Sequence, residues 1–237
     1  MAGSGFGTNF RITTWGETHG AGVGVVVDGC PAGLPLERED VQKYLDRRKP
    51  GQSKYTTQRK EGDQVEILSG IFEGRTTGTP ISMVVYNKDQ RSKDYSNIKD
   101  IYRPGHADFT FDMKYGFRDY RGGGRSSGRE TIGRVAAGAV AAKVLKELGI
   151  EIKAYAKAIA GIEVSKDHFD FAEMNNNPFN MPDKEAAKLV QEKADQMIKE
   201  MDSIGGIIEC QITGMPVGIG ETVFDKLDAE LSDRKST

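Results

Sequence analysis

The sequence predicts an α+β fold, and three observations support this prediction. Strand-like and helix-like patterns are mixed along the 237 residues, without the strict strand–helix alternation of a parallel sheet. An Ala-rich helix pattern covers residues 129–148 and has small residues on nearly all sides, which is typical of a helix packed closely on several sides. No internal repeat or low-complexity linker divides the chain, so we expect one domain over residues 1–237.

The first half of the chain carries four strand patterns and two helix patterns. Short apolar or alternating runs predict strands at residues 10–15, 23–28, 65–72 and 81–86. Helix patterns cover residues 36–48, which end before Pro50, and residues 107–115, which end before Gly116. Residues 87–103 are polar and have little apolar periodicity, so we expect a long loop there.

The second half begins with the Ala-rich helix, which Gly149 is placed to end. Its buried side is predicted from its apolar positions: Ile132, Val135, Ala136, Ala139, Val140 and Leu148. Strand patterns follow at residues 150–164 and 207–212. Asp183 is expected to cap a helix that runs through Met201. The inner face of that helix is predicted at Ala187, Val190, Ala194, Met197 and Met201.

Composition restricts the class of protein. The formal net charge of -2 argues against a general nucleic-acid binder. We therefore expect the arginine clusters to act locally and not as part of a broad basic surface. Cys30 and Cys210 have no partner spacing for zinc and do not form a disulfide framework. We therefore expect a reduced, cytoplasmic setting and no metal. We see no signal-peptide pattern at the N-terminus and no apolar run long enough to cross a bilayer.

The stretch with the strongest chemical signal is residues 121–130, which read Arg-Gly-Gly-Gly-Arg-Ser-Ser-Gly-Arg-Glu and lead directly into the Ala-rich helix. Glycines let backbone N–H groups turn toward a ligand, a helix N-terminus adds unpaired donors, and arginines add fork-shaped donors. These features favour an anion site. The alternative is a mobile surface loop with solvated arginines. The stretch lacks the Gly-Lys-Ser/Thr ending of a nucleotide-binding P-loop.

The histidines are the second chemical signal, because the chain has only three. His19 and His106 are each flanked by turn residues and charged neighbours, where a side chain that titrates near neutral pH can transfer protons. The alternative for either one is a hydrogen-bonded loop histidine. We expect His168 to be exposed and structural.

Four motifs together carry a family resemblance. They are Gly-Glu-Thr-His-Gly at 16–20, Asp-Arg-Arg-Lys-Pro-Gly at 46–51, Arg-Pro-Gly-His-Ala-Asp at 103–108 and Gly-Gly-Gly-Arg-Ser-Ser-Gly-Arg-Glu-Thr at 122–131. In residue content, order and spacing they resemble the signature motifs of the chorismate synthases, as does Pro-Val-Gly-Ile-Gly-Glu at 216–221. The resemblance covers nearly the whole chain. It implies a β-α-β sandwich in which central helices, including the Ala-rich one, pack against antiparallel sheets.

The resemblance also implies a reaction. That family converts 5-enolpyruvylshikimate 3-phosphate to chorismate by 1,4-elimination of phosphate and a ring proton, and it uses reduced FMN with no net redox change. By resemblance, His19 assists the departing phosphate, and His106 hydrogen-bonds or protonates the flavin. The implied partner is thus a small phosphorylated dicarboxylate, with neither nucleic acid nor membrane.

The family's anion clamp corresponds to Arg48, Arg103 and Arg129. Lys54 stands where the family often has arginine, so it keeps the charge but loses the bidentate fork. The implied flavin-contacting residues are Arg125, Ser126 and Ser127, and Ser127 is also expected to bind substrate. Arg134 is one turn further on. It either joins the anion cluster or pairs with Glu130 at i, i+4.

Length is the main departure from the family. Its chains continue past the helix that starts near Val223, with further flavin-binding residues and a catalytic aspartate, so we expect this chain to bind FMN poorly and turn over little substrate. Two other functions stay open: an anion-binding or assembly domain without turnover, and an NAD(P)H-dependent flavin reductase. Family resemblance further implies a homotetramer.

Overall fold

The computed structural model describes residues 3–56, 61–88, 99–121 and 123–235. The strands within these ranges are β1 (Gly5–Phe6), β2 (Arg11–Gly16), β3 (Gly22–Asp28), β4 (Val65–Ile67), β5 (Ile71–Phe72), β6 (Arg75–Thr76), β7 (Ile81–Tyr86), β8 (Glu151–Ile159), β9 (Ile162–Glu163) and β10 (Gly206–Thr213). The α-helices are α1 (Arg38–Arg48), α2 (Asp108–Tyr115), α3 (Thr131–Glu147), α4 (Lys184–Glu200) and α5 (Leu227–Lys235).

The larger sheet is antiparallel throughout, in the order β1-β2-β3-β7-β4. Its centre is β3, where Val25 and Val27 are fully buried. Gly24 has no room for a side chain, since a Cβ there would lie 2.4 Å from the Trp15 ring and 2.5 Å from the Met83 carbonyl oxygen. Because neighbouring strands run in opposite directions, the end of β2, the start of β3, the end of β7 and the start of β4 meet at one edge.

Helices α1 and α3 cover the inner face of this sheet and share one apolar core with it. Leu45 of α1 and Val140 of α3 are both fully buried there. The Ala-rich composition of α3 follows from how closely it approaches the sheet. A Cβ at Gly133 would lie 2.9 Å from Thr14 Cγ2 and 3.1 Å from the Gly24 carbonyl oxygen, so the first turn of α3 almost touches the strands.

The smaller sheet has the order β10-β8-β9, and α3 contacts β8, so this helix lies between the two sheets. Its own core forms where Val190 of α4 packs with Ala156 and Met181. Asp183 caps α4 by accepting hydrogen bonds from the backbone N–H groups of Glu185 and Ala186. Helices packed against antiparallel sheets confirm the predicted α+β class.

The structure divides two of the predicted strands. The pattern at 65–72 breaks at Gly70, which has φ +83°, and a Cβ there would lie 2.6 Å from the Ile81 side chain. The pattern at 150–164 is a hairpin that turns at Ala160 and Gly161, both with positive φ. In each case a glycine in the left-handed region interrupts an apolar run.

Smaller differences concern helix ends. Met201 is not on the inner face of α4, because it takes a left-handed conformation at the C-terminal cap and is 94% exposed. The last helix begins at Leu227 and not near Val223. Of the predicted loop at 87–103, residues 89–98 lie outside the described ranges, and the rest contains no helix or strand. None of the helices in the described ranges is both long and apolar enough to cross a membrane.

Candidate active site

Two motifs that are distant in sequence meet at the sheet edge where β2 ends and β3 begins. The connection between these strands, residues 17–21, is called the His19 loop below. The Thr18 hydroxyl donates a buried hydrogen bond of 2.6 Å to the Gly124 carbonyl oxygen, which joins this loop to the Gly-rich segment before α3. The fold therefore brings His19 beside the segment that the sequence predicts to bind anions.

Arg48 and Arg129 converge at the same edge. Arg48 is the last residue of α1, and Arg129 lies in the short 3-10 turn directly before α3. Each donates to a different oxygen of Asp63: Arg48 Nη1 to Oδ2 at 2.7 Å, and Arg129 Nη1 to Oδ1 at 2.9 Å. The Asp63 side chain is completely buried. One buried carboxylate thus holds two guanidinium groups together.

The position of Asp63 is fixed from α1. The Gln42 side chain donates to the Asp63 carbonyl oxygen and accepts from the Val65 backbone N–H, so it secures the chain on both sides of Gln64. Asp63 itself has φ +42°, in the left-handed region that non-glycine residues rarely occupy. These contacts hold Asp63 in this conformation, with its carboxylate directed at the two arginines.

Each guanidinium makes a further hydrogen bond, and one nitrogen of Arg129 has no hydrogen-bond partner among the described residues. Arg48 Nε donates to Thr131 Oγ1 and Arg129 Nε donates to Asn87 Oδ1, in addition to their bonds with Asp63. Arg129 Nη2 is buried and has no hydrogen-bond partner among the described residues, although it forms an ion pair of 3.7 Å with Glu61 Oε2. A buried donor without an acceptor is costly, and an incoming anion would satisfy it.

The electrostatics of the pair follow from burial and from the neighbouring charges. Burial lowers the pKa of Arg48, and the like charge of Arg129 lowers it further, while Asp63 opposes both effects. Arginine stays protonated near neutral pH after any such shift. The two guanidinium groups face the carboxylates of Asp63 and, at 3.7 Å, of Glu61, so the formal charges of this largely buried cluster balance. Charge–charge interactions there are stronger than in water.

His19 is buried, whereas His106 is exposed. The His19 side chain lies near Asp119, whose pKa is lowered first by a hydrogen bond from Arg121 and also, more weakly, by His19. His106 Nδ1 is 3.0 Å from the Pro104 carbonyl oxygen, so this contact orients the ring locally. The structure thus places the two predicted catalytic histidines in different environments.

Arg103 forms a two-pronged ion pair with Asp108, through Nε and Nη2 at 2.8 Å each. This pairing lowers the pKa of Asp108 to about 2. A Cβ at Gly123 would lie 3.8 Å from Arg103 Nη2, so Arg103 borders the Gly-rich segment. The ion pair links the His106 motif to the start of α2.

The three predicted flavin-contacting side chains of the Gly-rich segment are engaged inside the protein. Arg125 donates to Thr14 Oγ1 at 2.6 Å and to the Gly16 carbonyl oxygen at 3.3 Å. Ser126 Oγ donates to the Gly123 carbonyl oxygen, and Ser127 Oγ accepts from the Arg129 backbone N–H. These side chains shape the segment and fasten it to β2.

Lys54 and Arg134 form contacts away from the Asp63 cluster. Lys54 pairs with Asp195 on α4 at 2.7 Å, and Tyr55 donates to the same carboxylate. Arg134 is exposed and pairs with Glu130 at 3.0 Å, the i, i+4 pair that the sequence offered as an alternative. Neither side chain contacts Asp63.

Sequence reasoning missed Asp63 and Asn87, the two residues that orient Arg129. Each lies beside a predicted strand: Asp63 two residues before β4 and Asn87 directly after β7. A polar residue at a strand end is a common feature, so the sequence offered only a weak signal. Their role depends on the antiparallel register, which brings those strand ends together.

The fold and the site define an α+β protein in which two arginines share one buried carboxylate next to the loop that carries His19. The family model for chorismate synthase matches residues 10–235. Curated chorismate synthases from Lachnospira eligens and Chloroflexus aggregans are 69% and 58% identical to this chain over 98% of its length. A solved structure titled as that of a chorismate synthase superposes with a TM-score of 0.74 at 30% identity, covering 97% of this chain.

The chain belongs to the chorismate synthase family. It spans 63% of the length of these two curated relatives and 64% of the solved chain. The names of the relatives favour neither the flavin reductase nor the anion-binding domain without turnover.

Proposed function

We propose that this protein carries out the chorismate synthase reaction, the 1,4-elimination of phosphate from 5-enolpyruvylshikimate 3-phosphate, in aromatic amino-acid biosynthesis. The observation that carries the proposal is the arginine pair on Asp63, beside the His19 loop, in which the buried Arg129 Nη2 has no hydrogen-bond partner among the described residues. The substrate bears a phosphate and two carboxylates, and arginines are the side chains best suited to bind such groups.

In the proposed reaction the bond between a ring carbon and the phosphate oxygen breaks with its electron pair, and a ring proton leaves as the new double bond forms. Charge therefore develops on the leaving phosphate. Arg48 and Arg129 are fixed beforehand by Asp63, so they stabilise that charge without reorganising. His19 donates a proton to the leaving group, a contribution of about 10²–10⁴-fold in rate.

The cofactor implied by the family is reduced FMN, which supplies a transient electron when bound. The described residues fit part of a flavin site. His106 is exposed, whereas the side chains of Arg125, Ser126 and Ser127 already make internal contacts. We propose that His106 and the backbone of this segment contact the flavin, with Arg103 at its border.

The remaining parts of the proposal rest on family resemblance. Substrate contacts are assigned to Arg48, Arg103, Ser127 and Arg129, whereas Lys54 and Arg134 require release from Asp195 and Glu130 before they can join them. A homotetramer and a cytoplasmic location belong to the same proposal.

The test is an anaerobic assay with reduced FMN and 5-enolpyruvylshikimate 3-phosphate, read out as chorismate and phosphate formed. It compares this chain with a chimera that adds the remaining C-terminal residues of the Lachnospira eligens relative. We expect turnover in the chimera and little in the chain alone. Equal turnover in both would show that the family's C-terminal segment is not needed. No turnover in a folded chimera that binds FMN would overturn the proposed function.

A further inference from the structure

We propose that Asn87 is a positioning residue that fixes His19 relative to Arg129. Asn87 follows β7 directly, at the sheet edge where the His19 loop and the Asp63 cluster meet. Its side chain contacts both. The Asn87 amide nitrogen donates to the carbonyl oxygens of Glu17 and Gly20, at 2.9 Å each, and its amide oxygen accepts from Arg129 Nε at 2.8 Å.

The two carbonyls held by Asn87 lie on either side of His19 in sequence. The Asn87 backbone N–H adds a third contact, to the Ala21 carbonyl oxygen at 3.0 Å. The loop has internal bonds of its own, from Glu17 N–H to Gly22 and from Gly20 N–H to Glu17. Asn87 therefore closes the His19 loop from the side of β7.

The orientation of the amide follows from its neighbours. Arg129 Nε can only donate, and the carbonyl oxygens of Glu17 and Gly20 can only accept. With the amide reversed, all three contacts would set like groups against each other. The same argument shows that aspartate cannot replace Asn87, because its second carboxylate oxygen would face two carbonyl oxygens. Aspartate would nonetheless keep the bond from Arg129.

One side chain thus sets the separation between the proposed proton donor and one arm of the proposed anion clamp. The catalytic part of this inference rests on the proposed function; the positional part does not. Proton transfer to the leaving phosphate requires hydrogen-bond reach, and small displacements of a catalytic group have large effects on rate. We expect the loss of Asn87 to affect turnover more than substrate binding, because Asp63 still holds Arg129.

The positional test uses the chain as it is, without substrate or flavin. Amide hydrogen exchange is measured for Glu17 and Gly20 in Asn87→Leu and Asn87→Asp, and in Asn175→Asp as the control. Asn175 is exposed, and no described residue hydrogen-bonds its side chain. In both Asn87 variants the backbone N–H groups of Glu17 and Gly20 should exchange about 10-fold faster or more. Each variant lacks the two hydrogen bonds that the Asn87 amide nitrogen donates to the loop carbonyls. The control should match the unsubstituted chain.

The Asn87→Asp variant separates two roles. Asn87→Asp keeps an oxygen that accepts from Arg129 Nε. If Asn87 merely anchors Arg129, amide exchange at Glu17 and Gly20 therefore stays slow in this variant. With only three histidines in the chain, imidazole NMR signals add a second readout. The His19 signal should shift in both Asn87 variants, while that of His168 should not. Unchanged exchange and an unchanged His19 signal in both variants would overturn the inference.

The catalytic test uses the chimera that carries the relative's C-terminal residues. Asn87→Leu, which adds no charge, should lower kcat about 10-fold or more and change KM less than about 3-fold. If only KM rises and kcat is unchanged, Asn87 serves substrate binding by the arginines. That outcome would overturn its proposed role in positioning His19. Absence of turnover in the unsubstituted chimera, with the exchange result as expected, would overturn the proposed function and leave the positional inference intact.

Discussion

Arg48 and Arg129 each donate a hydrogen bond to a different oxygen of one buried carboxylate, that of Asp63. This relationship joins the end of α1 to the turn that opens α3. Without this carboxylate, the two largely buried positive charges would lose the acceptor that they share.

The first prediction concerns the stability of this cluster. Asp63→Asn should lower the free energy of unfolding by about 3–5 kcal/mol, because it breaks both ion pairs of a completely buried carboxylate. Chemical denaturation followed by circular dichroism measures the loss. Asp225→Asn is the matched control, since Asp225 is exposed and its side chain makes no hydrogen bond with a described residue. A loss no larger than that of the control would show that Asp63 is not needed to balance the arginines.

The second prediction concerns His19 and His106. In a catalytically competent version of the protein, His19→Ala or His106→Ala should lower turnover at least ~100-fold, with a much smaller change in substrate affinity. His168→Ala is the control, because His168 is exposed and contacts Glu185 on the surface. Near-normal turnover in either variant would remove the proposed role of that histidine. A loss of stability in place of rate would indicate a hydrogen-bonded loop histidine.

The third prediction concerns the fork of Arg129. Arg129→Lys keeps the charge but loses the planar fork whose separate nitrogens donate to Asn87 and Asp63, so substrate binding should weaken by about 1–3 kcal/mol. Calorimetry with 5-enolpyruvylshikimate 3-phosphate measures the difference, and Arg38→Lys, an exposed residue of α1, is the control. Unchanged affinity would place Arg129 outside the substrate site. Added salt should weaken binding less than it weakens an exposed ion pair.

The fourth prediction concerns pH. The ordinary pKa of Asp108 is near 3.8, and its ion pair with Arg103 lowers the pKa in the folded state to about 2. The folded state therefore favours the ionised carboxyl, so the pair stabilises the protein fully above about pH 4 and progressively less as pH falls toward 2. Asp108→Asn should lower stability by a constant amount above pH 4, and the difference should shrink below it. A difference that is independent of pH down to 2 would exclude this coupling.

The fifth prediction compares two glycines of α3. Gly133→Ala should cost about 1–3 kcal/mol of stability, because its Cβ would press on Thr14 and the Gly24 carbonyl oxygen. Gly138→Ala should raise stability by about 0.5–1 kcal/mol, since Gly138 is exposed with nothing within 4 Å. Thermal unfolding of the two variants is the measurement. Equal effects of the same sign would show that α3 does not depend on close contact with the strands.

The fold class and most elements were predictable because they depend on local apolar patterns. The strand at Ile81–Tyr86 has the predicted boundaries, and α4 begins at its predicted cap, Asp183. Patterns cannot show where a strand bends back, so the break at Gly70 and the hairpin at Gly161 were missed. Both positions are glycines, which is the signal that was available.

The candidate site was predictable only in part. Arginine and histidine motifs pointed to Arg48, Arg129 and His19 as site residues, and the fold brings their segments together. They did not identify Asp63 and Asn87, because a buried acceptor between two arginines is defined by tertiary contacts and not by neighbours in sequence. Lys54 and Arg134 show the converse, since each sits in or near a motif yet pairs with a carboxylate elsewhere.

The arginine cluster also has a consequence for the order of folding. Its members come from the end of α1, the residues just before β4 and the turn before α3. Their ion pairs therefore join segments that are separated in sequence. Such contacts form late, after local pairing. Trp15, the single tryptophan, instead packs over Gly24 across the β2–β3 hairpin. In a refolding experiment, Trp15 fluorescence should therefore respond to an early, local event, and anion binding should return only when the last tertiary contacts have formed.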